Sequence, residues 1–129
     1  MSNGLSCGKP AVRAALDRLD ERLMKLDPGP PALVNGVAYD RGRLVADLRA
    51  LADVTVQALV VQGPGYDGAS DESVEEWLAA LARLQPKAVQ VYSIARPPAD
   101  PRVRPVARAQ LEAIAARARR VISGTVEVY

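Results

Sequence analysis

Thr55-Val56-Gln57-Ala58-Leu59-Val60-Val61-Gln62 is a nearly continuous apolar run rich in β-branched side chains, the pattern of a strand covered on both faces in a parallel sheet. The glycine-rich turn Gly63-Pro64-Gly65-Tyr66-Asp67-Gly68 closes it. Ser70 then stands as a helix N-cap, with Asp71 and Glu72 in the first turn, where the helix dipole favours acids. Val74, Trp77, Leu78, Leu81 and Leu84 line one face of that helix until Pro86 stops it. Ala88-Val89-Gln90-Val91-Tyr92-Ser93-Ile94 reads as the next strand, leading into a stiff proline-rich loop from Arg96 to Pro105.

The same rhythm extends in both directions. A final helix is predicted from about Val106 to Arg120, with Ala107, Leu111, Ile114, Ala115 and Ala118 inward, before a terminal strand Thr125-Val126-Glu127-Val128-Tyr129. Upstream, Leu44, Val45, Leu48 and Leu51 mark a helix starting near Asp40, which Gly42 weakens by about 1 kcal/mol relative to alanine. Before it, Leu23-Met24-Lys25-Leu26-Asp27 is a short strand ended by Pro28-Gly29-Pro30-Pro31, and residues 28–39 read as loop. Val12, Ala15, Leu16 and Leu19 define a first helix, with Pro10 where a first-turn proline is tolerated. Strands separated by roughly a dozen helical residues argue for parallel pairing through right-handed crossovers. The expected class is therefore α/β, with about four mostly parallel strands alternating with helices.

A chain of 129 residues, 49% hydrophobic and 25% charged, fits one folded unit spanning residues 1–129. With no Phe and one Trp, its core must be built from Val, Leu, Ile and Ala. The net charge of +2 comes from scattered Lys and Arg with no basic stretch interleaved with aromatics, so nucleic acid is not an expected partner. One cysteine, Cys7, excludes an internal disulfide and any cluster ligated by this chain's thiols alone, and the absence of His removes the commonest general base and metal ligand. No apolar run approaches the roughly 18 to 20 residues that span a bilayer. Nor does Met1-Ser2-Asn3-Gly4-Leu5-Ser6-Cys7-Gly8 resemble a signal peptide, so the cytoplasm is the expected compartment.

In parallel α/β architectures ligand chemistry gathers at the carboxyl ends of strands. Here those ends carry Asp27, Gln62-Gly63 and Ser93 to Arg96. Asp27 reads equally as a cofactor contact or as a turn acid before Pro-Gly, and Lys25 as facing a barrel lumen or solvent. The Gly63–Gly68 loop lacks the Lys-Ser/Thr ending of a phosphate-binding loop and reads as a strand-to-helix turn. Arg96-Pro97-Pro98 reads as a rigid connector, Cys7 as an inert thiol and Trp77 as core. Asp71, Glu72, Glu75 and Glu76 read as a solvated helix start. Nothing among these residues makes a complete catalytic site.

Four pieces carry a resemblance: Ser2-Asn3-Gly4, Met24-Lys25-Leu26-Asp27, Val60-Val61-Gln62-Gly63, and Val91-Tyr92-Ser93-Ile94-Ala95-Arg96-Pro97-Pro98-Ala99. In this order and spacing the chain resembles the carboxyl-terminal half of a radical S-adenosylmethionine (radical SAM) protein of the barrel type. The resemblance implies a partial (β/α) TIM-like barrel holding a four-iron cluster and S-adenosylmethionine, with reductive cleavage of the latter to a 5′-deoxyadenosyl radical.

The resemblance also implies that Asn3, Lys25, Asp27, Gln62 and Gly63 face the cofactor, and that Tyr92, Ser93 and Arg96 contact substrate or cofactor. The family's CxxxCxxC motif is absent, so the cluster is expected from residues outside this chain, and the isolated chain is expected to be inactive. On this alignment Met1 falls within the family's third strand and the chain is a fragment. Pro28-Gly29-Pro30-Pro31 departs from the family's more acidic, helix-forming stretch. The alternative is a non-catalytic α/β binding or assembly module. In either case unpaired strand edges are expected to favour self-association.

Overall fold

The computed structural model describes residues 2–129; the expectation that Met1 lies in a further strand falls outside them. The chain runs through Pro10–Asp17 (α1), Arg22–Lys25 (β1), Pro31–Val34 (α2), Arg41–Arg49 (α3), Val54–Leu59 (β2), Val61–Gly63 (β3), Tyr66–Asp67 (β4), Asp71–Leu84 (α4), Ala88–Tyr92 (β5), Arg104–Pro105 (β6), Arg108–Ala118 (α5) and Thr125–Val128 (β7). Four strands form a wholly parallel sheet in the order β1-β2-β5-β7. Each parallel strand lies beside the one before it in sequence, so a helix-bearing crossover links every neighbouring pair. Ser2 extends the sheet at the outer edge of β1: its N–H donates to Leu23 O at 2.9 Å, and Lys25 N–H donates to Ser2 O at 2.7 Å.

Local chemistry sets the helix ends. Asp40 caps α3 by accepting from Arg43 N–H at 2.9 Å, offsetting the weakness of Gly42. Ser70 caps α4 by accepting from Ser73 N–H at 3.2 Å, with Asp71 and Glu72 in the first turn. Gln85, left-handed at φ 48°, ends α4 just before Pro86. At the end of α1 the buried Arg22 guanidinium donates to Leu16 O and Asp17 O, and also to Ala52 O beyond α3. Its bond to Asp17 O satisfies a carbonyl that the helix end leaves without an intrahelical partner.

Burial alternates along every parallel strand. Met24, Val56, Ala58, Val89, Val91 and Val126 are buried on one face, while Lys25, Gln57, Gln90 and Glu127 point to the other. The buried face joins Leu44, Leu48, Val74, Trp77, Leu81, Leu111, Ile114 and Ala118 in one core cluster, so α3, α4 and α5 cover the same side. Trp77, fully buried, also donates from Nε1 to Leu26 O at 2.8 Å, tying α4 to the end of β1.

Three expectations are corrected. The run from Thr55 to Gln62 is not one strand covered on both faces: β2 ends at Leu59 with only its even-numbered residues buried. Thr55 and Gln57 are polar positions on the uncovered side, and this period of two outweighs the run's overall apolar character. From Val61 the chain peels into a small antiparallel sheet, ordered β4-β3-β6. Its hairpin turns at Pro64-Gly65, where Gly65 has φ 78°, the geometry of a type II turn. The loops read at 28–39 and 96–105 contain α2 and β6, both too short to leave a periodic signature. Among the described residues no helix is long and apolar enough to cross a membrane.

Candidate functional site

The open face of the parallel sheet is organised by register. Lys25 stands opposite Gln57, Gln57 opposite Gln90, and Gln90 opposite Glu127, giving one polar row across all four strands. Below it lies a row of Leu23, Thr55, Ala88 and Thr125, and above it Leu59 stands opposite Tyr92. Gln57 Nε2 donates to Gln90 Oε1 at 2.7 Å. At the far edge Tyr129 donates its hydroxyl to Glu127 Oε2 at 2.7 Å, an interaction that raises the phenol's pKa. Gln57, Gln90, Tyr92, Ser93, Ala95 and Tyr129 line an open groove of 530 Å³ on this face.

Asp27 sits at the carboxyl end of β1, 1% exposed, and its carboxylate is committed to the fold. Oδ1 accepts from Leu59 N–H at 2.7 Å, tying the end of β1 to the end of β2, and Oδ2 accepts from Asn35 Nδ2 at 2.7 Å. Lys25 Nζ lies 3.6 Å from Oδ2. Arg41 donates to the carbonyls of Asp27 and Gly29 at 3.1 and 2.6 Å, pinning the loop that follows. Burial raises the Tyr39 phenol pKa; neighbouring Arg41 partly counters this and Asp27 adds to it.

The other expected site residues are dispersed. Asn3 is exposed and its Oδ1 accepts from Leu5 N–H at 3.1 Å, forming a local turn. Gln62 and Gly63 do not close a parallel strand over the site; they belong to the hairpin, where Gln62 Nε2 donates to Asp67 Oδ2 at 3.2 Å. A Cβ at Gly63 would fall 2.5 Å from the Tyr66 ring, so the glycine makes room for that ring. Ser93 Oγ donates to Val60 O at 2.7 Å and accepts from Val106 N–H at 3.0 Å, stitching two loops together. Arg96 is exposed on its loop. Only Lys25 and Asp27 meet directly, while Tyr92 and Ser93 share the groove.

Reading strand ends alone missed Gln57, Gln90, Glu127 and Tyr129. For Gln57, Gln90 and Glu127 the signal was a polar residue at the alternate positions of three apolar strands, which one-sided coverage turns toward a common face. What this face offers is neutral donors and acceptors, two phenols, and a charge at each end. Cys7 lies elsewhere, 1% exposed beside Gly4, its thiol pKa raised by burial and by Asp47 despite Arg13. Among the described residues no group of three or more His, Cys, Asp or Glu side chains is placed to hold a metal ion. No family model, curated protein or solved structure matches the chain.

Proposed function

We propose that the parallel sheet is an arc of a (β/α) barrel and that the chain is the cofactor- and substrate-facing portion of a radical SAM protein, its open face forming part of the lumen. One observation carries this reading. Strands succeed one another in sequence order with α3, α4 and α5 on a single face, leaving a polar row on the side that a barrel would turn inward. Ser2, paired beside β1, continues the arc in the direction the resemblance requires.

The residues present fit the two implied groups differently. A four-iron cluster does not fit: the chain has one cysteine and no histidine, and Cys7 is buried away from the open face. S-adenosylmethionine fits in part. Lys25 is a cation for its carboxylate, the Gln57 and Gln90 amides suit its ribose or adenine, and Tyr92 offers an aromatic surface. Asp27 serves this site by fixing the ends of β1 and β2 rather than by touching the ligand.

Titration of S-adenosylmethionine into isotopically labelled protein tests the reading. Shifts concentrated at the Gln57 and Gln90 side-chain amides and at Tyr92 are expected. No shift at millimolar ligand, or shifts confined to other surfaces, would overturn it. The second reading, a non-catalytic binding or assembly module, is favoured by the commitment of Asp27, Gln62 and Ser93 to hydrogen bonds within the fold. It predicts no response to the cofactor.

A further inference from the structure

We propose that two copies of this chain associate through their open sheet faces, about a two-fold axis parallel to the strands. The polar row is asymmetric in charge. Lys25 stands at one end on β1, Glu127 at the other on β7, and the hydrogen-bonded amides of Gln57 and Gln90 lie between them. Three strand intervals separate the two charges, about 14 Å at the usual spacing of parallel neighbours.

A two-fold axis parallel to the strands and midway between β2 and β5 preserves height along each strand and reverses the strand order. It lays β1 over β7 of the second copy and β2 over β5. Lys25 then faces Glu127 of the other copy at both ends of the row, and Gln57 faces Gln90 twice in the middle. The flanking rows match too, with Leu23 against Thr125, Thr55 against Ala88, and Leu59 against Tyr92. A face-to-face axis perpendicular to the strands would instead set Lys25 over Lys25 and Glu127 over Glu127, so like charges select the parallel axis. Sheets stacked with their strands aligned pack well face to face.

Both charges still reach the open face: the Lys25 side chain keeps 27% of its surface exposed despite its ion pair with the buried Asp27, and Glu127 is exposed. Lys25 is 3.6 Å from a carboxylate already holding two hydrogen bonds, and Glu127 is exposed beside a phenol. A second copy is the one surface certain to present the same charge spacing with reversed order, the condition for a self-complementary two-fold contact. The inference does not rest on the cofactor reading, because it concerns the ligand-free protein; on that reading, ligand and second copy compete for the face.

Sedimentation velocity of the ligand-free chain across micromolar concentrations, with Lys25→Glu and Glu127→Lys, provides the test. The wild-type chain is expected to dimerise. Each variant alone is expected to self-associate at least about tenfold more weakly, because both contacts become like-charged. An equimolar mixture is expected to restore a heterodimer. The two substitutions then meet with opposite charges at one end of the row, and the native pairing of Lys25 with Glu127 is kept at the other.

Lys25→Glu also places a carboxylate beside Asp27, so its fold is checked by circular dichroism. If it unfolds, Lys25→Gln takes its place, with about tenfold weaker self-association again expected and recovery on mixing only partial. A wild-type monomer throughout the range overturns the proposal. So does a dimer indifferent to Glu127→Lys, which would indicate pairing through the β7 edge instead.

Discussion

The two faces of the parallel sheet are made from the same strands and differ in almost everything else. The helix-covered face is Met24, Val56, Ala58, Val89, Val91 and Val126, all buried and continuous with the helical core. The open face alternates with it residue by residue and carries Lys25, Gln57, Gln90 and Glu127. Apolar area leaves water on the first, while amides and charges keep hydrogen-bonding capacity on the second. A substitution's effect should therefore depend on which side of the pleat it lies.

The strongest way to break this comparison is at Trp77. Its ring fills the covered side and its Nε1–H reaches Leu26 O. Trp77→Ala is expected to cost about 3–5 kcal/mol in urea denaturation; a loss under about 1 kcal/mol would show that the helical layer is not the main source of stability.

A milder effect is expected from alkaline pH. Burial, reinforced by Asp47, raises the Cys7 thiol above its ordinary value of 9.0, and burial raises Tyr39 above 10.0. In both cases the folded chain retains a proton that the unfolded chain releases. Their contributions to stability are therefore intact below about pH 9 and are lost as pH rises through the folded values. Denaturation midpoints should fall progressively above about pH 9, and Cys7→Ser should remove the earlier part of that fall; a flat profile to about pH 11 would contradict the burial of both groups.

The smallest change is expected on the open face. Replacing Gln57 and Gln90 together by Leu removes both partners of one hydrogen bond, which leaves neither orphaned, and should alter stability by less than about 1 kcal/mol. The same double variant should abolish the Tyr92 shift on addition of S-adenosylmethionine. A large destabilisation would instead make the pair part of the core.

Much of the architecture was legible because it rests on local signals. The helix start near Asp40, the cap at Ser70, Pro10 at a helix start, Pro86 at a helix stop, and the alternation of helices with apolar strands appear in the structure where the sequence places them. The peeling of β3 was not legible, since Val60 and Val61 are equally good strand formers, yet Val60 N–H still donates to Tyr92 O while Val61 pairs with Pro105 in the small sheet. The candidate site was harder still. Asp27 and Ser93 carry the polar groups expected near a ligand, yet both are drawn into hydrogen bonds by backbone groups 32 and 33 residues away. No local pattern encodes such distant demands. Gln57 and Gln90 were hidden for the opposite reason: single amides inside apolar runs acquire meaning only when register sets them side by side.

The succession of parallel strands in chain order also bears on how the protein is made. Each parallel strand has its sequence predecessor as a neighbour, so β2 can join β1 before β5 has left the ribosome, and β7 can join β5 in turn. No strand waits for a distant successor before finding its neighbour. Growth of this kind proceeds vectorially, each strand finding its place beside the one before it.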